Sequence, residues 1–498
     1  MSPSTRARSR RAARLATAST GSLEAMPESI VLHILARVPS SALARLACTC
    51  HDFNELLVPT ALPMRAELLG QRLCPRPGES ILAALRFAET LAQRPVCTIT
   101  ADTCHTICVS PEGRCWSWGG HDQHVVVEAE EEGLVAHHDE EAPCWLLHLG
   151  VGRDTGHCVT RPAPIAGLPA GLKVVEVAAG YEHSLLRDVS GRVWSFGNGE
   201  HGRLGHLPLS SSSRPRCIEG LEHVAQVAAG GFQSLAVKDD GTAYSWGWGE
   251  SGSTGHGERV HCHTPTLVEA LRSIRIVQAS AGSGHSLFVS AECDLYACGD
   301  FRFGKLGLGK VKEDALTPTH VVGKHGGLKV RHASAWHAHS LVVSTSGVLF
   351  AFGCGEGGRL GLGDEKDRWW PRRIEPSFFG RSPVKWAAAG EMHSCVLTES
   401  GRVYFFGDCS LGQNKYAPAS FFTVRQLNPT AVKMALDVPL TGVAEVTVGD
   451  HHTIVRTDAN ELLSWGCGSC GQLGHGDRST NPTPRRIAIS GLSASPAK

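Results

Sequence analysis

The chain has no excess of charge of either sign, few aromatic residues and no long hydrophobic run. Its 498 residues include 48 Lys and Arg against 48 Asp and Glu, and only 6% are aromatic. A balanced surface exerts no global attraction on nucleic acid or on an acidic membrane. No stretch approaches the ~18 consecutive apolar residues that a membrane span requires. We therefore expect a protein of the cytoplasm or nucleus that does not associate with membranes.

Cysteine and glycine content narrow the class of protein further. The 18 cysteines are scattered along the chain, which is typical of a protein from a reducing compartment rather than of a disulfide framework. The 56 glycines are many for this length and favour a turn-rich, mainly β protein. The apolar content of 42% is enough for a sizeable core.

A short motif recurs seven times between residues 96 and 490. It reads "AAGYEHS" in one copy and "AAGEMHS" in another, and its sixth residue is a histidine in six copies and Gln233 in the seventh. A bulky residue follows eleven positions later, and a glycine three positions after that, in every copy. The histidines and glycines of the clearest copies are His183, His285, His339, His393, His452, Gly197, Gly247, Gly353 and Gly466.

Each repeat of about 50 residues has the pattern of four short strands. Two apolar strands are followed by a turn, an alternating strand such as "RVWSF" and a proline-containing loop before the fourth strand. The turn holds a residue that tolerates positive φ in every copy except the fourth, which has Cys293. Such a unit cannot bury its own sheet face, so neighbouring units must supply the core. The sequence predicts a seven-bladed β-propeller over residues 96–490.

The paired motifs resemble the repeats of the regulator of chromosome condensation family. That family has A-x-G-x-x-H-[ST] followed by W-[GS]-x-G-x-x-G-x-L-G, and the second motif is matched here by "WSFGNGEHGRLG" and "FAFGCGEGGRLG". The resemblance covers about four-fifths of the chain. A histidine repeated in six blades cannot mark six active sites, so we expect it to tie the blades together by hydrogen bonds.

The glycine pattern of the second repeat also has the spacing of a dinucleotide-binding turn. Gly197, Gly199 and Gly202 form G-x-G-x-x-G directly after a strand. The following "RLGHLPLSSSSRP" cannot begin the helix that a pyrophosphate needs, and the same glycine frame recurs once per repeat. We therefore predict turns between blade strands and no cofactor.

Two irregular features of the propeller raise the question of a metal site. An insertion at 121–145 contains eight acidic residues and four histidines, and Cys467 and Cys470 form C-x-x-C. The insertion reads as a solvated loop or, alternatively, a metal site, and its acidity would attract a basic partner. The two cysteines lie in the glycine frame of the repeat, without a second C-x-x-C. We predict no metal ligands and no catalytic residues.

Residues 24–63 predict a small module of three helices before the propeller. Pro27 suits a first helical turn, Pro39 ends the first helix, and three apolar faces follow at helical spacing. The pattern resembles an F-box, with Pro27–Glu28, Ile34–Leu35 and Leu43 in the expected places. Milder residues replace its C-terminal consensus, and a generic helical cap on the propeller is the alternative. We expect residues 64–95 to form a helical linker.

The F-box resemblance implies the substrate receptor of a cullin-type ubiquitin ligase. The module would dock on a Skp-type adaptor and thereby on a cullin, while the propeller holds an unknown target protein. Ubiquitin transfer would then be promoted by proximity alone. The residues expected to form the module or face the adaptor are Pro27, Ile30, Ile34, Leu35, Leu43, Leu46 and Phe53.

The propeller resemblance leaves a second function open. The founding member of the family is a guanine-nucleotide exchange factor, so this chain is alternatively an exchange factor or chromatin-associated scaffold for a small GTPase. An ultraviolet photoreceptor shares the fold, but its Trp after the glycine is replaced here and Trp336 stands one place early. The arginine-rich residues 1–23 read as a disordered tail, a nuclear-import or nucleic-acid-binding arm, or a transit peptide. Residues 491–498 form a short tail.

Overall fold

The computed structural model describes residues 72, 74–76, 79, 81–92, 94, 96–120, 149–151, 158–324, 326–408, 425–431 and 440–489. The basic tail, the F-box-like module, the acidic insertion at 121–145 and the C-terminal tail lie outside the described residues. The chain divides into two units, one of residues 1–95 with 239–241 and one of residues 96–238 with 242–498.

The first unit contains one described helix, α1, over Ile81–Ala92. Its buried side chains recur at spacings of three and four residues, which places Leu85, Ala88 and Leu91 along one stripe. Among the helices of the described ranges, none has the length and apolarity of a membrane-spanning segment.

The second unit confirms the predicted seven-bladed β-propeller. Within the described residues it contains seven antiparallel sheets of four strands, each sheet formed by four consecutive strands of the chain. The strands of blades 1 to 3 are β1 Ile99–Ala101, β2 His105–Val109, β3 Cys115–Gly119, β4 Val159–Pro164, β5 Val174–Gly180, β6 His183–Asp188, β7 Val193–Gly197, β8 Ser212–Cys217, β9 Val224–Ala229, β10 Gln233–Lys238, β11 Ala243–Gly247 and β12 Cys262–Leu267. The strands of blades 4 to 7 are β13 Ile276–Ala281, β14 His285–Ser290, β15 Leu295–Gly299, β16 Ala315–His320, β17 Val330–Ala335, β18 His339–Ser344, β19 Leu349–Gly353, β20 Arg368–Arg373, β21 Val384–Ala389, β22 His393–Thr398, β23 Val403–Asp408, β24 Arg425–Ala431, β25 Val443–Val448, β26 His452–Thr457, β27 Leu462–Gly466 and β28 Asn481–Arg486.

The core lies between blades rather than within them. One apolar cluster joins Leu341 and Leu349 of blade 5 to Val396 and Phe406 of blade 6, and similar clusters join other neighbouring pairs. The first strand of each blade contacts the first strands of both neighbouring blades and so lines an axial channel. Each sheet face is therefore buried only because the next blade is present.

The ring closes through side chains, because among the described residues blades 7 and 1 are each formed by four consecutive strands of their own. The carboxylate of Glu445 in β25 accepts hydrogen bonds from the backbone N–H groups of Thr98, at 2.7 Å, and Ile99, at 3.1 Å. Arg456 in β26 donates to the carbonyls of Thr98 and Val109. These bonds satisfy the backbone groups at the open edge of β1, where a neighbouring strand would otherwise be needed.

One turn between the second and third strands of a blade has an unusual residue. Cys293, the exception in the predicted turn series, adopts a φ of 65° despite its side chain. It therefore carries the steric cost that glycine avoids at this position in other blades.

Every outermost strand includes a proline, for example Pro318 in β16 and Pro371 in β20. A missing N–H on an exposed edge discourages pairing with strands of other molecules.

Candidate protein-binding face

The propeller presents two unlike faces. In antiparallel blades, the loops from first to second strand and from third to fourth strand emerge on one side of the ring, which we call the front face. The loops from second to third strand and from one blade to the next emerge on the other side, the back face. The glycine-rich loops of the repeat thus lie on the front face, and the acidic insertion follows Gly120 of such a loop in the sequence.

The repeated histidines form a ring of side-chain bonds beneath the front face. Each lies at the start of a second strand. Its Nε2 contacts the hydroxyl of a Ser or Thr in the next blade, the residue directly after that blade's repeat histidine or, in blade 3, directly after Gln233. The pairs are His105–Ser184 at 3.3 Å, His183–Ser234 at 2.8 Å, His285–Ser340 at 3.0 Å, His339–Ser394 at 2.8 Å, His393–Thr453 at 3.2 Å and His452–Thr106 at 3.1 Å. The last pair joins blade 7 to blade 1, so these bonds also contribute to ring closure.

At least four hydroxyls of this ring also donate to a backbone carbonyl, which fixes the direction of their bond to the histidine. Ser394 Oγ donates to the carbonyl of Arg359 at 2.8 Å, and Ser340 Oγ donates to the carbonyl of Lys305. Each hydroxyl has one proton to give, so it must accept from the histidine Nε2–H. The histidines therefore bind a side chain of the next blade, which the repeat pattern alone does not reveal, and His393 also contacts the Asp450 carbonyl of blade 7 through Nδ1 at 3.1 Å.

Burial keeps these imidazoles neutral. It lowers the pKa of His285, His393 and His452 to about 3, and that of His339 well below the ordinary value. The cause in each case is first desolvation, which disfavours the charged form. A neutral, fully buried imidazole is suited to holding blades together and is removed from acid–base chemistry near neutral pH.

The repeated glycines stand where two backbone segments touch. Gly197 has a φ of 116°, and a Cβ there would lie 2.3 Å from the Glu182 carbonyl. Gly247, Gly353 and Gly466 have the same conformation and equally close carbonyls. After Gly197 the chain makes a short 3₁₀ turn at Glu200–Gly202 rather than an α-helix. The glycine spacing is therefore a requirement of blade geometry, and the turn after Gly197 lacks the helix N-terminus of a dinucleotide site.

Aromatic and acidic side chains meet where the front face surrounds the propeller axis. Trp336 of blade 5 reaches across the ring, and its Nε1 donates to Asp450 Oδ1 of blade 7 at 2.7 Å. Its ring centroid lies 6.2 Å from that of Tyr181 in blade 2, and Tyr181 stacks on Phe232 at 5.7 Å. The axial cup is the group formed by Asp102, Tyr181, Glu182, Phe232, Trp336, Glu391 and Asp450.

Two carboxyl groups of the axial cup, those of Glu391 and Asp102, have a raised pKa. Burial and then the neighbouring Asp450 raise the pKa of Glu391 to about 7, although Arg359 opposes this shift. Burial and Asp450 likewise hold the pKa of Asp102 well above its ordinary range. The Glu182 carboxylate accepts a hydrogen bond from Asn198 at 2.8 Å, and Arg203 lies 3.4 Å away. The cup thus concentrates negative charge in a poorly hydrated place.

The described residues do not form a metal centre. No group of three or more His, Cys, Asp or Glu side chains in the described ranges is arranged to hold a metal ion. Cys467 and Cys470 are buried in the glycine loop of blade 7, where Cys467 contacts the Ser469 hydroxyl.

Exposed apolar side chains extend the front face away from the axis. Val260 and Phe303, from the loops of blades 3 and 4, are 54% and 38% exposed. Leu207 and Leu209 of the blade 2 loop are also exposed. Apolar side chains beside a charged depression are typical of surfaces that bind other proteins.

Sequence reasoning did not identify the axial cup. Most of its residues, such as Tyr181, Glu391 and Asp450, lie between the glycine and the histidine of the first repeat motif, at positions that differ from blade to blade, while Asp102 and Trp336 take the place of that glycine. That contrast within the repeat is the signal that could have located it. The predicted adaptor-facing residues, from Pro27 to Phe53, lie outside the described residues.

Comparison with known proteins agrees with this architecture. The model of the RCC1-like domain family matches residues 82–394 and 149–496. The ultraviolet-B receptor UVR8 of Arabidopsis thaliana is 30% identical over 408 residues, which cover 80% of this chain and 83% of UVR8. The human probable E3 ubiquitin-protein ligase HERC3 is 34% identical over 202 residues, 40% of this chain and 18% of HERC3.

A solved structure of similar fold has recorded binding partners. Prp20p of Saccharomyces cerevisiae is 25% identical and superposes with a TM-score of 0.60, covering 69% of this chain and 84% of Prp20p. Its structure was described together with its binding to Gsp1p and histones. The chain covers less than a fifth of HERC3 but most of UVR8 and Prp20p.

Proposed function

Because the chain belongs to the RCC1-like domain family, we propose that it binds partner proteins on the front face of its propeller and performs no bond chemistry of its own. The observation that carries this proposal is the axial cup with the exposed apolar side chains around it. The histidines and glycines of the repeat are occupied in holding the blades. The residues that differ between blades are the ones left to recognise a partner.

A finer proposal concerns the class of partner. The similarity to Prp20p, which binds Gsp1p and histones, favours a small GTPase or a basic chromatin protein. Guanine-nucleotide exchange on such a GTPase would require no nucleophile or metal of the propeller, since an exchange factor acts by binding the nucleotide-free GTPase more tightly. This proposal places the protein in the nucleus or at chromatin.

A second candidate rests on the F-box-like sequence of residues 24–63. In that case a Skp-type adaptor and a cullin would bind the N-terminal module, and the propeller would hold the protein to be modified. HERC3 supports this candidate only by its name, because the chain matches 18% of that ligase. Both candidates use the propeller in the same way and differ in what the N-terminal module binds.

Affinity purification of the intact chain from cells tests the shared part of the proposal. We expect the combined substitutions Val260→Ser and Phe303→Asn to reduce the captured front-face partner about tenfold, because they remove exposed apolar area from the front face. Phe303 has a φ of 60°, a conformation that asparagine tolerates well, so folding should be preserved. The captured proteins would be quantified by mass spectrometry against the intact chain.

The matched control removes the same kind of surface from the back face. Val189 and Phe378 are 69% and 38% exposed, and Val189→Ser with Phe378→Ser should leave the captured partner unchanged. Equal loss in both variants would contradict binding through the front face.

A third variant, Pro27→Ala with Leu43→Ala, tests the ligase candidate. It should lose a Skp-type adaptor while retaining the front-face partner. Absence of adaptor and cullin from the purification of the intact chain would overturn the ligase candidate.

Nucleotide release from a panel of small GTPases tests the exchange candidate. We expect the intact chain to accelerate release of a fluorescent guanine nucleotide at least tenfold for one GTPase, and Val260→Ser with Phe303→Asn to abolish most of that acceleration. The back-face variant provides the control. A panel in which no GTPase responds would overturn exchange activity while leaving protein binding to be decided by the purification.

A further inference from the structure

The axial cup contains carboxylates that the surrounding protein does not neutralise. In the described part of the chain, no Lys or Arg nitrogen lies within 4 Å of Asp102 or Asp450, which are 0% and 2% exposed. Asp450 accepts the indole N–H of Trp336. Burying charge without an opposite charge is costly, which is why the pKa of Asp102 is raised, and a cation in the cup would favour its ionised form.

Asp102 shows the deficit most directly. Its Oδ2 makes no hydrogen bond with any described residue, and the nearest basic atom is His105 Nδ1 at 3.7 Å. Thr103 is its hydrogen-bond partner, through its hydroxyl to Oδ1 at 3.4 Å and through its backbone N–H. The charges of Asp450 and Glu182 act on this carboxyl, so Asp102 faces the interior of the cup. A buried acceptor without a donor is a group that an incoming donor would satisfy.

The aromatic rings of the cup select the kind of cation. Trp336, Tyr181 and Phe232 form a continuous series of rings, with centroids 6.2 and 5.7 Å apart. Arg203 already lies over the Phe232 ring, at 4.9 Å from its centroid, which shows how a guanidinium fits this surface. Rings attract organic cations through their faces, while the spread of the carboxylates does not suit a metal ion.

The rim of the cup is accessible from the front. The side chains of Glu182 and Glu391 are 26% and 25% exposed, whereas Asp102 and Asp450 lie below them. His451 contacts the Glu391 carboxylate at 3.2 Å from the outer side. A long side chain with a terminal charge can therefore meet the rim carboxylates directly and the buried pair through their field.

We propose that the axial cup receives a lysine or arginine side chain from a basic segment of a partner protein. This inference rests on the proposed function and specifies the chemistry of its partner. The rim glutamates would bind the charged end, Trp336 and Tyr181 would contact its stem and face, and the charge would stabilise the Asp102–Asp450 pair.

The test measures binding of short peptides to the full chain. The probes are three fluorescent nine-residue peptides, in which glycine alternates with lysine, with arginine or with acetyl-lysine. We expect the lysine or the arginine peptide to bind and the acetylated peptide to bind at least tenfold more weakly. Asp450→Asn with Glu391→Gln should weaken binding of the cationic peptide at least tenfold, because both changes keep shape and remove charge.

A control removes two carboxylates of the same face outside the cup. Glu250 and Glu356 are 63% and 66% exposed, and Glu250→Gln with Glu356→Gln should weaken peptide binding less than threefold. Equal weakening by both variants would reduce the effect to diffuse electrostatics and overturn the cup. Failure of the intact chain to bind either cationic peptide would also overturn it.

These results separate the cup from the proposed function. If a cellular partner depends on Val260 and Phe303 but not on Asp450 and Glu391, the face binds proteins and the cup inference is wrong. If cationic peptides require the cup but no partner depends on Val260 and Phe303, the cup stands and the wider front-face proposal is wrong. Circular dichroism of each variant confirms folding before either conclusion.

Discussion

Replacement of His339 by alanine is expected to lower the free energy of unfolding by about 3 kcal/mol, and replacement by glutamine by about 1 kcal/mol or less. His339 is fully buried, and its Nε2 donates to Ser394 of the next blade at 2.8 Å. Alanine removes that bond and leaves a cavity at the junction of blades 5 and 6. Because each blade is buried only by its neighbours, a weak junction affects the whole ring.

Glutamine serves as the control because blade 3 already has it. Gln233 stands at the same position, and its Nε2 donates to the carbonyls of Gly282 and His285 in the next blade at 2.8 and 3.1 Å. An amide can therefore replace the imidazole as an inter-blade donor. Urea denaturation followed by tryptophan fluorescence gives both free energies. Equal losses for the two variants would show that packing alone, rather than donation to the next blade, is what His339 contributes.

The sequence predicted this ring because each of its requirements is local and repeated. The histidine lies in the second strand, and the bulky residue and the glycine lie in the third strand, where the glycine pairs with the histidine. His183, Trp194 and Gly197 are an example, and this pairing fixes their spacing. A one-residue shift would turn each side chain to the wrong face of the sheet. Seven repetitions of the same spacing therefore determine strand order and blade number before any coordinates are known.

The axial cup could not be predicted in the same way. Trp336 and Asp450 are 114 residues apart and belong to blades that are not neighbours, so nothing in their local sequence relates them. They meet because the first-to-second-strand loops of all blades converge on one axis. The constant residues of the repeat bring the variable ones together, and the recognition that we propose depends on the variable ones. Knowledge of the fold class gives the place of the site, while its ligand follows only from the side chains that arrive there.

Acidification from pH 7 to about pH 5 is expected to unfold the propeller. Burial lowers the pKa of five histidines in the folded chain. The pKa falls to about 4 for His332, to about 3 for His285, His393 and His452, and well below the ordinary value for His339. The unfolded chain binds their protons near pH 6.5, so the stabilisation is complete above that pH and is lost as the pH falls towards the folded values. Each contributes about 1.4 kcal/mol per pH unit, and at pH 5.5 the five together amount to about 7 kcal/mol. That is comparable with the ~5–15 kcal/mol that holds a typical domain folded.

The slope of stability against pH distinguishes this cause from general acid denaturation. Carboxyls with a raised pKa, such as Glu391 at about 7 and the buried Glu445, take up protons in the folded chain and offset part of the loss on acidification. His285→Gln removes one titrating imidazole and keeps an inter-blade donor, as Gln233 does in blade 3. We therefore expect this variant to reduce the slope between pH 6.5 and 4.5 by up to about 1.4 kcal/mol per pH unit, whatever its stability at pH 7. Urea denaturation at a series of pH values measures it, and an unchanged slope would show that the imidazole of His285 is not held neutral by burial between the blades.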